Sequence, residues 1–132
     1  MSMEYVESLN LKQPAAGDTL KQLRSVDRLP NDYVSFLRMS NGAEGFVGSS
    51  YLILFATEAI ESINQAAAVD RLAPGLIIFG SDGGGKSYAF DTRREEVTIV
   101  EFFDMDIGDE EPTVRAKSFT GFLKYLFDQH AQ

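Results

Sequence analysis

A glycine-rich segment between two apolar runs constrains the fold more than any other part of the sequence. Residues 80–87 read GSDGGGKS and separate the apolar runs 76–79 and 88–90. The letters match G-x-x-x-x-G-K-S, in which backbone amides surround phosphates while the lysine and the hydroxyl serve the γ-phosphate and Mg²⁺. The same glycines also suit a turn between antiparallel strands, because glycine adopts positive φ without steric cost.

The residues after this segment favour the turn. A phosphate-binding loop opens directly into a helix whose N-terminal amides meet the phosphates, yet a helix here would carry polar residues on the face that begins with Tyr88. Only nine residues separate Ser87 from Val97, whereas a crossover between parallel strands needs about a dozen or more. We therefore expect a turn in which Asp82 accepts backbone N–H groups, followed by a strand from Tyr88 to Phe90.

Apolar residues at helical spacing predict two helices in the first third of the chain. The first begins at Asp18, which suits an N-cap, and ends near Arg28. The second begins at Pro30, because the fixed φ and the missing N–H of proline cost nothing at the first helical position. Asn41-Gly42 then supplies the left-handed conformation of a C-cap.

Two further helices and four strands are expected in the rest of the chain. Thr57 caps a helix that reaches about Val69. The clearest helical pattern follows Ser118, with apolar side chains at Phe119, Phe122, Leu123, Leu126 and Phe127. Short apolar runs predict strands over residues 51–55, 76–79, 88–90 and 97–103. The first 13 residues suit either a short helix or an edge strand.

The composition indicates one globular domain over residues 1–132. No apolar run approaches the ~18 residues of a membrane-spanning helix, and the first residues lack a basic and an apolar signal region, so we expect a cytoplasmic protein. Twenty acidic against twelve basic side chains give a net charge of −8, which repels nucleic-acid phosphates and anionic membranes. We therefore expect neither nucleic acid nor membrane as a partner.

Few residues could support catalysis or bind a metal. The chain has no cysteine and one histidine, so a serine or cysteine triad has no base and a zinc site lacks ligands. His130 lies beyond the apolar face of the last helix, and we expect it to be exposed. The sequence indicates no catalytic residue and no cofactor. A carboxylate-pair hydrolase needs two carboxylates across a cleft, which a sequence with twenty acidic residues neither supports nor excludes.

An acidic segment follows the last predicted strand. Asp104, Asp106, Asp109, Glu110 and Glu111 place five carboxylates within eight residues. Oxygen-rich loops bind hard cations such as Ca²⁺, but the spacing differs from the helix–loop–helix calcium pattern. A solvated loop is the second interpretation. The third is recognition of a basic protein, since acidic side chains imitate nucleic-acid phosphates and accelerate association.

Two motifs resemble the signatures of the SUKH superfamily. The first is LPxxYxxFLxxxNGAEG over residues 29–45, and the second is FGSDGGGxxYAFD over residues 79–91. With the intervening and final helices, the resemblance spans about residues 20–130. The signature residues are Leu29, Pro30, Tyr33, Phe36, Asn41, Gly42, Asp82, Gly83, Gly84, Gly85 and Tyr88.

The resemblance implies an α+β domain with a twisted, mainly antiparallel sheet flanked by helices, and no enzymatic activity. Members of the superfamily include a fungal regulator of cell-wall assembly and bacterial immunity proteins that neutralise polymorphic toxins, often nucleases. We therefore expect an immunity protein that binds a basic toxin domain; the alternatives are a regulatory module of the cell-wall type and, least favoured, a nucleotide-binding enzyme. The predicted partner-binding residues are Glu44, Asp104, Asp106, Asp109, Glu110 and Glu111.

Overall fold

Seven antiparallel strands pair in chain order and form one open sheet. The computed structural model describes residues 3–129, and within them the strand order is β1-β2-β3-β4-β5-β6-β7. With five α-helices the chain forms a single α+β domain, which confirms the predicted fold class. The strands are β1 Leu9–Leu11, β2 Ala43–Val47, β3 Ser50–Leu54, β4 Leu76–Ser81, β5 Lys86–Asp91, β6 Thr98–Phe103 and β7 Thr113–Ala116.

The helices precede, interrupt and follow the sheet. Two of them connect β3 to β4, and one follows the last strand. No helix within the described residues is long and apolar enough to cross a membrane. The α-helices are α1 Gly17–Lys21, α2 Asn31–Met39, α3 Thr57–Ala66, α4 Val69–Leu72 and α5 Phe119–Phe127, and 3₁₀ turns occur at Met3–Tyr5, Val26–Arg28 and Asp104–Asp106.

The glycine-rich segment is a turn between β4 and β5, as predicted. Lys86 begins a strand, and Tyr88 is the cross-strand partner of Gly80. Asp82 Oδ1 accepts hydrogen bonds from the amides of Gly84, at 2.7 Å, and Lys86, at 3.0 Å. Gly85 has a φ of +107°, which a side chain would disfavour. Because no helix follows, the phosphate-binding interpretation lacks its structural context.

The first predicted helix is two short pieces. The prediction of one helix from Asp18 to Arg28 was wrong, because α1 ends at Lys21 and a separate 3₁₀ turn follows, entered through Ser25 with a φ of +56°. Asp18 lies in the first turn of α1, whose N-cap is Ala16. Leu20 and Leu23 are nevertheless buried in the core, and Val26 packs against it partly buried. The spacing of three between these apolar residues therefore indicated burial correctly and helix length incorrectly.

The predicted caps lie one or more residues from their observed places. Pro30 is the N-cap of α2 and precedes its first helical residue. That helix ends at an extended Ser40, and the positive φ of +91° belongs to Gly42. A Cβ on Gly42 would lie 2.7 Å from the carbonyl oxygen of Leu54, so close backbone approach explains the glycine.

Asn41 caps a helix distant from it in the chain. Its Oδ1 accepts the amide of Thr57 at 2.9 Å, and its Nδ2 donates to Glu58 Oε1 at 2.7 Å. The prediction of Thr57 as the N-cap was therefore wrong, since Thr57 is the first residue of α3 and Asn41 supplies the cap. The helix also ends earlier than predicted, at Ala66, before a left-handed Ala68 that separates it from α4.

The two faces of the sheet carry separate apolar clusters. On one face, α2 and α5 bury an aromatic core in which the Tyr33 ring lies 4.8 Å from the Phe90 ring and 5.5 Å from the Phe79 ring. On the other face, Val69 of α4 packs with a smaller cluster that includes Ile78. The second face is only partly covered by α3 and α4, and this opening positions the candidate site.

Candidate protein-binding surface

A groove opens on the second face of the sheet, between α3 and the segment that follows β6. Its volume is about 500 Å³. Ile63 and Ala67 line one side and Ile107 lines the other, while the sheet supplies Ser87 and Phe102. The groove is therefore largely apolar, with a few polar atoms at one end.

Asp104 provides the carboxylate at the polar end of the groove. The Ser87 hydroxyl donates a hydrogen bond of 2.5 Å to Asp104 Oδ1, and the Asp104 amide donates to the carbonyl oxygen of Gly85 at 2.8 Å. Both bonds fix Asp104 against the glycine turn. No salt bridge to Asp104 forms within residues 3–129, so its charge stays uncompensated at the groove.

The remaining acidic residues of the segment differ in their surroundings. Asp109 and Glu110 are exposed, Asp106 is half-buried, and none of these three forms a salt bridge in the described part of the chain. Glu111, by contrast, accepts Arg93 Nη2 at 2.6 Å. Three of these four carboxylates are thus available to a partner, and Glu111 already has a cation.

Arg93 is held by two carboxylates at once. Besides Glu111, it donates through Nε to Asp91 Oδ1 at 3.0 Å and through Nη2 to Asp91 Oδ2 at 2.9 Å. These hydrogen bonds keep the pKa of the buried Asp91 below the ordinary range of an aspartate, against the opposing effect of its burial. This contact fixes the end of the acidic segment to the turn between β5 and β6.

Glu44 lies on the same face as the groove, in β2, four strands from the strand β6 that precedes Asp104. Cross-strand partners connect Glu44 to Ile53, Ile53 to Ser81, Ser81 to Ser87 and Ser87 to Phe102. Directly opposite residues share one face of a sheet, so these five residues form a cross-strand row that runs from β2 into the groove. Glu44 accepts a hydrogen bond from the Tyr51 hydroxyl, and this bond raises the pKa of Tyr51.

Three exposed apolar side chains lie near the acidic residues in the chain, but Phe103 is the cross-strand partner of Lys86 and therefore lies on the face opposite the groove. Phe103 is 57% exposed, Met105 is 87% exposed, and Phe46, which packs edge-on against Tyr51, is 50% exposed. Aromatic residues and methionine are enriched in the cores of protein interfaces. Sequence reasoning missed them because Phe103 ends an apolar strand and Met105 lies among aspartates; the alternation FDMD over residues 103–106 was the available signal.

Lys86 serves the fold and faces away from the groove. Its Nζ lies 3.8 Å from Glu101 Oε2, which Arg115 also binds at 3.0 Å. The Arg115 guanidinium in turn lies 5.0 Å from the centre of the Tyr125 ring. The lysine of the apparent phosphate pattern is therefore part of an ion-pair cluster on the aromatic-core side of the sheet.

No group of metal-binding side chains forms in the region that the structure describes. Among residues 3–129, no three histidine, cysteine, aspartate or glutamate side chains are placed so that they could hold a metal ion. His130, which was expected to be exposed, lies outside the described residues.

The profile of the SMI1 / KNR4 family (SUKH-1) matches residues 24–125. The chain belongs to this family. SUKH-1 proteins are generally non-catalytic, and membership suggests a protein-binding role. No curated protein matches the chain significantly.

The SUKH-1 signature residues occupy the core and its turns. Leu29, Tyr33, Phe36 and Tyr88 are buried in the aromatic core. Pro30 and Asn41 act at helix starts, and Gly42 and the Asp82-to-Gly85 segment form tight backbone. The SUKH-1 motifs therefore build the domain, while the groove lies beside them.

Proposed function

We propose that this SUKH-1 protein is a non-enzymatic immunity-type domain that binds a basic bacterial toxin domain and covers its active site or substrate groove. One observation carries the proposal: Asp104, Asp106, Asp109 and Glu110 lack ion-pair partners among the described residues, and the first of them lines an open, largely apolar groove. Apolar contact area surrounded by charge is the usual anatomy of a protein interface.

The charge of the domain supports a basic partner. A toxin that acts on nucleic acid needs cationic side chains for the phosphates, and a net charge of −8 favours approach to such a surface. Unpaired carboxylates at the rim of an interface mainly accelerate association and exclude wrong partners. We therefore assign Glu44 and the free carboxylates of residues 104–110 to steering, and Met105 and Phe46 to contact area.

The test first asks whether a toxin domain is encoded next to this chain, and then follows binding to that domain by surface plasmon resonance at several salt concentrations. Reversing Asp106, Asp109 and Glu110 to lysine should slow association about tenfold or more at low salt and flatten its salt dependence. Glu111 is left unchanged because its reversal would also break the contact with Arg93.

The matched control reverses three exposed acids outside the groove, Glu7, Asp18 and Asp27. It changes the net charge equally, so an equal loss of association rate would assign the effect to total charge and reject this surface. The absence of a toxin gene beside this chain, together with binding to a signalling or biosynthetic protein, would replace the immunity role by the regulatory one.

A further inference from the structure

The groove has the shape and chemistry of a receptor for one long side chain. Its walls offer methyl and methylene groups from Ile63 of α3, from Ala67 directly after that helix and from Ile107 of the opposite segment. Phe55 and Phe102 add aromatic rings. A long aliphatic stem would lose its contact with water against these walls, as the stems of lysine and arginine do when they cover apolar surface.

Asp104 places a carboxylate at the polar end of the groove. Asp104 Oδ1 is occupied by the Ser87 hydroxyl, at 2.5 Å, which holds the carboxylate in place and leaves Oδ2 for a donor. Ser87 itself is buried, so the orientation of Asp104 is set from within the sheet. The carboxylate has no cationic partner among residues 3–129. A cation that entered the groove would form an ion pair with it.

We propose that this groove receives a single arginine side chain of the partner, with its stem against Ile63 and Ile107 and its guanidinium on Asp104. Arginine is favoured over lysine because a planar, weakly hydrated guanidinium stacks on aromatic rings such as that of Phe102 and keeps its charge when partly buried. The inference deepens the proposed function and rests on it only for the source of the arginine.

The binding chemistry is testable without the partner. N-acetyl-arginine-methylamide is titrated into the isotopically labelled full chain, and the methyl resonances of Ile63, Ala67 and Ile107 are followed by NMR. We expect saturable shifts at these methyl groups with a Kd of roughly millimolar, as befits one small ligand. The citrulline derivative, which has the same shape without the charge, should bind about tenfold more weakly.

Two substitutions separate the carboxylate from the apolar walls. Asp104→Asn should weaken binding of the arginine derivative about tenfold, since it removes a charge-assisted hydrogen bond. Ala67→Leu should fill the groove and also weaken binding, with Asp104 intact. Asp109→Asn is the matched control: it removes the same charge from the same segment but lies outside the groove, and we expect less than a twofold change.

The outcomes distinguish this inference from the proposed function. Three results would overturn the arginine site, even if the toxin still binds. The methyl resonances could fail to shift, the citrulline derivative could bind as tightly as the arginine derivative, or Asp109→Asn could weaken binding as much as Asp104→Asn does. Equal affinity for the lysine derivative would overturn the assignment to arginine. Saturable arginine binding that requires Asp104 would support the site, even if the neighbouring toxin fails to bind and the immunity role is rejected.

Discussion

The carboxamide of Asn64 pairs with both backbone groups of Ile78. Asn64 Oδ1 accepts the Ile78 amide at 2.8 Å, and Asn64 Nδ2 donates to the Ile78 carbonyl oxygen at 3.0 Å. Strand β3 pairs with β4 only near Ser81 and Gly80. At Ile78, the Asn64 side chain therefore makes the hydrogen bonds that a neighbouring strand would otherwise make. In this way α3, which carries one wall of the groove, is attached to the sheet by hydrogen bonds that mimic a β-ladder.

We expect Asn64→Ala to lower the free energy of unfolding by about 2–4 kcal/mol, because it leaves two buried backbone groups unpaired. Urea unfolding followed by circular dichroism measures the change. The neighbouring Gln65→Ala, at an exposed position of the same helix, should change it by less than about 0.5 kcal/mol. Equal effects of the two substitutions would contradict the role of Asn64.

Tyr33→Phe should stabilise the protein. The Tyr33 hydroxyl is buried without a hydrogen-bond partner in the described structure, and burial raises the pKa of this phenol above its usual value. Removing an unpaired buried hydroxyl while keeping the ring contacts should raise the free energy of unfolding by about 1 kcal/mol. Thermal and urea unfolding test this; Tyr51→Phe, which removes a hydroxyl bonded to Glu44, should give no gain.

The stability of the protein should depend on the ionisation of Asp91 in acid. Hydrogen bonds from Arg93 lower the pKa of Asp91, so the unfolded chain takes up a proton at a higher pH than the folded protein does. The stabilisation is therefore present above about pH 4, the pKa of a free aspartate, and is lost as pH falls through the lower folded pKa.

For the same reason, Asp91→Asn should cost about 2–3 kcal/mol at pH 7 and progressively less as the solution is acidified. Unfolding free energies at pH 7 and below pH 4 provide the comparison. Glu95→Gln, at an exposed position of the same turn, is the control. A cost for Asp91→Asn that stayed constant with pH would show that packing, and not the charge, determines it.

Neighbouring glycines of the β4–β5 turn should respond oppositely to alanine. A Cβ on Gly85 would meet nothing within 4 Å, yet its φ of +107° disfavours any side chain, so Gly85→Ala should cost at least about 1 kcal/mol. Gly84 has no positive φ, and its Cβ would make ordinary contacts with Asp82. Gly84→Ala should be neutral or stabilise by up to about 1 kcal/mol; a comparable loss for both would argue against this turn geometry.

The parts of the fold that depend on local sequence were predictable. The β4–β5 hairpin and helix α5 follow from apolar spacing and turn residues that lie close together in the chain. Strand β7 was missed, since its residues are almost all exposed and show no alternation, and only pairing with β6 makes it a strand. The cap that Asn41 gives to α3 spans 16 residues, and a contact of that range leaves no local pattern.

The candidate site could be predicted only in part from the sequence, for the same reason. Five clustered carboxylates are visible in the sequence, but their different surroundings are not. The contact of Glu111 with Arg93 spans 18 residues, and the link from Glu44 to the groove depends on the register of five strands. Whether these residues bind a partner stays a prediction, to be decided by the charge-reversal experiment.

The two apolar clusters lie on opposite faces of the sheet, so substitutions in one need not disturb the packing of the other. Substitutions among the aromatic side chains around Tyr33 affect the stability of the whole domain, whereas the groove walls at Ala67 and Ile107 belong to a smaller cluster on the opposite face. New side chains there can alter what the groove accepts while the aromatic core stays unchanged. The lining of the groove can thus be changed by a few replacements without repacking the aromatic core.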